Sequence, residues 1–148
     1  MSKISDLIVH AEEIEPYIPG GDDTYLSQCL IGPDGVGSQT LNVNMGTVKP
    51  HKRLHGGSHP TGAHEGYYIL RGKGQLWLGG DPKTGEGAEV HEMRADTAVW
   101  IPGGTFHSIE NLGDEELVFL TLWADHRGNE MLEVRRKAWG TTFRKKKA

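Results

Sequence analysis

Two histidine-bearing segments constrain this chain more than any other feature. The first runs His59-Pro-Thr-Gly-Ala-His64-Glu65-Gly-Tyr-Tyr-Ile-Leu-Arg-Gly72, and the second runs Pro102-Gly-Gly104-Thr-Phe-His107-Ser-Ile-Glu-Asn111. In the first, a histidine and a carboxylate precede an aromatic and β-branched run that ends at a glycine. In the second, a histidine follows a Pro-x-Gly turn and leads to an asparagine. Imidazole and carboxylate from one segment, joined by imidazole from another, make the donor set of a divalent metal held inside a β-barrel. Metal-assisted chemistry on a small molecule is therefore expected in preference to a bare scaffold.

The remaining residues suit an all-β domain of short strands. With 21 Gly and 7 Pro among 148 residues, turns are frequent and long helices few. This length favours one domain, residues 1–148, with a core of its own. Strands are expected from Asp22 to Ile31, over Leu41–Met45, over Ala88–Met93, over Ala98–Ile101 and over Leu117–Trp123. The segments Glu65–Leu70 and Gln75–Leu78 read as a hairpin around Gly72-Lys-Gly74, and residues 49–63 read as a basic loop. In Leu41-Asn-Val-Asn-Met45 apolar and polar residues alternate with period two, so Asn42 and Asn44 share a face that can point into a closed barrel. Leu117–Trp123 is apolar on both faces and is expected to be buried on both. A short arm precedes the strands, and an extension with a weakly periodic helix over Asn129–Lys137 follows them.

The two segments resemble the paired motifs of the cupin superfamily, Gly-x5-His-x-His-x3–4-Glu-x6-Gly and Gly-x5-Pro-x-Gly-x2-His-x3-Asn. The second motif is met from Pro102 to Asn111, with Asp96 in place of its leading glycine. The first is met from Glu65 to Gly72. It departs upstream, where Gly57-Ser58-His59 stands for His-x-His and five residues separate His59 from Glu65. The resemblance covers roughly residues 38 to 123 and implies a double-stranded β-helix, or jelly-roll barrel, and a homodimer. The arm, through Ile14, Tyr17 and Ile18, is the part expected to reach the partner subunit.

His59, Glu65 and His107 form the expected metal-ligating set. Two histidines and one carboxylate on one side of a metal leave the other side open, as in non-haem iron oxygenases, although Fe, Mn, Zn and Ni all accept these donors. The spacing of His59 and Glu65 also resembles that of 3-hydroxyanthranilate dioxygenases. A fourth contact is open between His55, on a glycine-rich loop, and His64. Neighbours in a regular strand face opposite ways, which argues against His64 beside Glu65. Either histidine could instead act as general base, since imidazole titrates near neutral pH. His10, His91 and His126 stand outside the motifs and are expected to be solvated.

Two functions follow from this set. One is a metal-dependent enzyme acting on a small, oxygen-rich substrate: a dioxygenase with iron, or an isomerase, lyase or decarboxylase with another metal. The other is a non-catalytic module that binds a sugar or small metabolite in the same barrel. A net charge of −4 and a pI near 6.0 give no support to nucleic-acid binding. The basic Arg144–Lys147 tail is read as a frayed, solvated terminus. The single cysteine, Cys29, is read as a buried core residue, and no membrane span or signal peptide is apparent, so a cytoplasmic location is expected.

Overall fold

Among the described residues the regular structure comprises two short 3-10 helices (Ile4–Leu7 and Ala11–Glu13), eight strands and one α-helix: β1 (Tyr25–Ile31), β2 (Asn42–Val48), β3 (Glu65–Arg71), β4 (Lys73–Leu78), β5 (Glu89–Arg94), β6 (Ala98–Ile101), β7 (His107–Asn111), β8 (Leu117–Trp123) and α1 (Glu130–Trp139). The computed structural model describes residues 3–18, 23–124 and 130–148. The expected opening of the first strand at Asp22, and His126, lie outside the described residues.

The strands form two antiparallel sheets of a jelly roll, ordered β1-β2-β8-β3-β6 and β5-β4-β7. Register puts one set of side chains on the inner face of the larger sheet. Tyr67 pairs with Thr121 and Ile69 with Phe119, while Gly46 pairs with both Phe119 and Ser27. Val48, Ile69, Leu117 and Phe119 from this sheet meet Leu76, Met93 and Ile109 from the other in one buried cluster. Fully burying a side chain of this kind contributes roughly 1.5–3 kcal/mol. β8 lies between β2 and β3, and Leu117, Phe119, Thr121 and Trp123 on its inner face are buried. On the other face Val118 is buried and Leu120 and Leu122 only partly so, so the expected burial of both faces is complete on one alone. Asn42 and Asn44 are buried, as the inward polar face of β2 anticipated.

β3 and β4 do not form the expected hairpin. They belong to different sheets, and the chain crosses from one to the other at Gly72. This corner needs glycine on two counts: φ is +87°, and a Cβ would sit 2.7 Å from the Glu116 carbonyl oxygen. Asp96 takes a positive φ of 65° where the resembling motif carries glycine, and its carboxylate accepts a hydrogen bond from the Tyr68 hydroxyl at 2.9 Å. An aspartate that tolerates the left-handed region stands in for the missing glycine.

The basic loop is more ordered than its composition suggested. Arg53 bridges Glu110, and Gly57 bridges His107, so the segment lies along the free edge of β7. The termini also pair with their own chain. Tyr17 exchanges backbone hydrogen bonds with Ser27, the Lys146 N–H donates to the Glu13 carbonyl at 2.8 Å, and Ile14 and Tyr17 are buried. The basic tail is therefore not frayed at Lys145 and Lys146, and the arm spends Ile14 and Tyr17 on its own barrel rather than leaving them for a partner. Ile18 alone of the three is exposed.

Candidate metal centre

Each side chain of the triad is set by a different local device. Glu65 is the first residue of β3 and points inward with Tyr67 and Ile69; it is 3% exposed. His107 opens β7 on the smaller sheet. Its Nδ1 lies 3.0 Å from the Thr105 carbonyl oxygen, which holds the ring and favours the tautomer with Nε2 free to ligate. His59 is held from the loop: its carbonyl accepts from the Gly104 N–H at 2.8 Å, inside the Pro-x-Gly turn of the second motif. The two motifs thus grip each other through backbone as well as through the site.

The three side chains converge. His59 Nε2 lies 2.9 Å and His107 Nε2 3.4 Å from the same Glu65 oxygen, and one ligand atom from each residue falls within 4.8 Å of the others. Burial pushes the Glu65 carboxyl up, but hydrogen bonds and positive charge from His107 and His59 outweigh it and hold the group below the ordinary carboxylate value. A buried carboxylate beside two imidazoles whose Nε2 atoms face it is the donor chemistry of a divalent transition metal.

The triad opens on a cavity of about 220 Å³. Its wall includes Tyr25 and Ser27 of β1, Tyr67, Ile109 and Trp123, and the loop from Leu54 to His59. Tyr25, Tyr67 and Trp123 are its aromatic members. Tyr68 and Trp100 are exposed on the outer face, and Trp77 stacks under the Arg53 guanidinium at 3.5 Å.

The remaining histidines divide. His55 is exposed and lines both this cavity and the neighbouring surface pocket with Lys83 and Phe106, so it stands at the mouth. His64 faces the other way. Its Nδ1 accepts from the Gly103 N–H at 3.0 Å and its ring lies 5.4 Å from that of Trp100. Among the described residues the ligand cluster holds His59, Glu65 and His107, without His55 or His64. The structure does not bring His64 to the cavity at all: strand alternation puts it on the outside next to an inward Glu65. His10 and His91 are exposed as expected.

Tyr25, Ser27 and Tyr67 line the cavity without being singled out by either motif, and Arg135 donates to Ser27. Tyr25 and Ser27 could have been found from their period-two spacing with the buried Cys29 on one strand face. Arg135, 1% exposed on a weakly periodic helix, left no signal in the sequence.

The sequence matches the Cupin domain family over residues 44–123, more than half of the chain. It is 29% identical over 116 residues to "Polyketide synthase CurC" of Streptomyces cyaneus, covering 78% of this chain and 68% of that protein. The structure is similar to the polyketide cyclase RemF of Streptomyces resistomycificus, with a TM-score of 0.66 at 20% identity, covering 83% of this chain and 79% of RemF. It is also similar to Bacillus subtilis oxalate decarboxylase, described for its Mn(II) centres, with a TM-score of 0.65 at 25% identity. That superposition covers 78% of this chain and 29% of the decarboxylase, so the chain spans under a third of that protein's length.

Proposed function

The chain belongs to the Cupin domain family, and from that membership and the geometry of its cavity we propose that it is a metal-dependent enzyme acting on a small, oxygen-rich molecule. The observation that carries this reading is the convergence of His59, Glu65 and His107 within 4.8 Å at the wall of a cavity of about 220 Å³. A divalent metal held by these residues supplies a Lewis acid for a substrate oxygen or, if iron, redox chemistry with oxygen. Tyr67, Ile109 and Trp123 exclude water and orient the substrate. His55 at the mouth accepts and returns a proton as the substrate turns over. The reaction is a dioxygenation or a metal-assisted isomerisation, elimination or decarboxylation. The Mn(II) centres of the similar decarboxylase favour a transition metal over none.

The assembly proposed is a homodimer of single-domain subunits in the cytoplasm. The outer face of the larger sheet supports the dimer: Trp100 is 64% exposed, beside the exposed Tyr68 and Leu70. No helix among the described residues is long and apolar enough to cross a membrane.

The test is metal analysis of untagged protein joined to oxygen uptake across small diols, diketones and sugar acids. Stoichiometric metal with oxygen consumption assigns a dioxygenase, and metal with conversion but no uptake assigns an isomerase, lyase or decarboxylase. Protein without metal, and with stability unmoved by chelator, would instead be the binding module.

A further inference from the structure

At the other edge of the larger sheet from Glu65, polar groups run in one direction toward the cavity. Arg135 of α1 lies buried against inward-facing side chains of β1 and β2 and donates from Nη2 to the Ser27 hydroxyl. With its oxygen turned to the guanidinium, the Asn44 amide accepts from Nη1 at 3.2 Å and Nη2 at 3.3 Å. The Tyr17 ring packs 5.1 Å away. Among the described residues no carboxylate pairs with Arg135, and its Nε has no partner.

A guanidinium only donates, so Ser27 Oγ must accept from it, and the single Ser27 proton is left for another acceptor. The Tyr25 hydroxyl lies over Gly46, the residue paired across the strands with Ser27, which puts the phenol oxygen on the Ser27 side of the cavity wall. Tyr25 and Ser27 are alternate residues on one strand face, and both line the cavity. A phenol oxygen that accepts from Ser27 has its own proton free to donate onward. The ring cannot swing away. It stacks on Phe119 at 6.2 Å and lies over Gly46, where a Cβ would meet the ring at 2.9 Å and the hydroxyl at 3.0 Å. Burial raises the Tyr25 hydroxyl above its ordinary value, against Ser27 and Arg135, which lower it, so it keeps its proton at neutral pH.

We propose that Arg135, Ser27 and Tyr25 form a one-way donor chain whose last hydroxyl binds the anionic oxygen of the substrate, an enolate, phenolate or carboxylate. Fixed donors aimed at a negative oxygen in a water-poor site are worth more than the same donors in water. Charge balance points the same way. Arg135 is a buried cation with no carboxylate partner among the described residues, and a divalent cation at the triad would add to that positive charge, which suits an anion. This deepens the enzymatic reading by assigning its substrate class. The donor chain itself does not depend on the metal.

The probe is 4-nitrophenol, whose neutral and ionised forms are distinguished by absorbance, titrated into zinc-loaded and metal-free protein. Tyr25→Phe should weaken phenolate binding about tenfold or more, the worth of a hydrogen bond to a charged oxygen, and leave the neutral phenol within about twofold. Ser27→Ala and Arg135→Met should show smaller losses selective for the phenolate, with Arg135→Lys recovering part. The loss in Tyr25→Phe should appear in both metal states, so failure of zinc to bind defeats the metal reading and not this one. Equal phenolate affinity in wild type and Tyr25→Phe would overturn the proposal. Parallel loss of both forms in Arg135→Met would remove Arg135 from the chain and reduce it to a packing residue.

Discussion

His59 Nε2 lies 2.9 Å from a Glu65 oxygen that is buried at the start of β3 and shared with His107. Each imidazole reaches that carboxylate from a different part of the chain, so the cluster exists only in the folded state. A metal that binds it therefore stabilises folding by mass action. Chelator should lower the melting temperature of metal-loaded protein by on the order of 10 °C, as expected for free metal about a thousandfold above Kd and a chain of this size. Differential scanning calorimetry before and after chelation checks this, and an unmoved transition in protein first shown to hold metal counts against the site.

His55 and His64 are expected to behave differently. His64→Ala should keep both metal and turnover, because the ring points to Trp100 and the Gly103 N–H outside the barrel. His55→Ala should keep metal and lose turnover by about 100-fold or more, the usual scale for a general base. Metal titration and steady-state rates of the two variants separate the roles. Loss of metal from His64→Ala would contradict the outward placement.

Gly57 occupies the place of a histidine in the resembling motif, lines the cavity, and has nothing within 4 Å of where a Cβ would sit. Gly57→His should be accommodated and add a fourth nitrogen donor, tightening zinc or manganese binding by about tenfold or more. Competition against a chromogenic chelator reads the change. Unchanged affinity in a folded Gly57→His variant would show that this position does not face the metal.

Most of the fold could be read from the sequence because its signals were local. Turn-forming residues bounded the strands, and the second motif tied Pro102, His107 and Asn111 to one corner. Asn111 is fully buried and its side-chain amide donates to the Val48 and Glu115 carbonyls, a structural tie of the kind its place implied. The convergence of His59, Glu65 and His107 could be anticipated for the same reason. What escaped was set by long-range packing. Gly72 turns β3 into a different sheet from β4, although a short turn between two apolar runs reads as a hairpin. The segment before His59 gains edge pairing from β7, far away in sequence. Arg135 reaches Ser27 across more than a hundred residues, and no local pattern reports such a contact.

The C-terminal extension is fastened by Asp34, which accepts from Arg136 Nη2 at 2.9 Å and from the Thr142 N–H at 2.7 Å. The Arg136 guanidinium, and then the Thr142 donors, hold its carboxyl below the ordinary value against the effect of burial. A folded-state pKa below the unfolded one stabilises the protein above the unfolded value, and this is lost as pH falls through the folded value. Asp34→Asn should therefore melt below wild type near neutral pH, and the gap should close below about pH 4. Thermal melts of both proteins from about pH 7 to about pH 3 test it; a gap independent of pH would mean the carboxylate charge is not what fastens the helix.

The most direct measurement is metal content by elemental analysis of wild type, Glu65→Ala and His107→Ala, purified without a histidine tag and dialysed together against one transition metal. The wild type should retain about one equivalent, and each variant should lose at least about 100-fold in affinity, since each removes one of three donors. Full occupancy in both variants, or no metal retained by the wild type, would contradict a metal centre built from His59, Glu65 and His107.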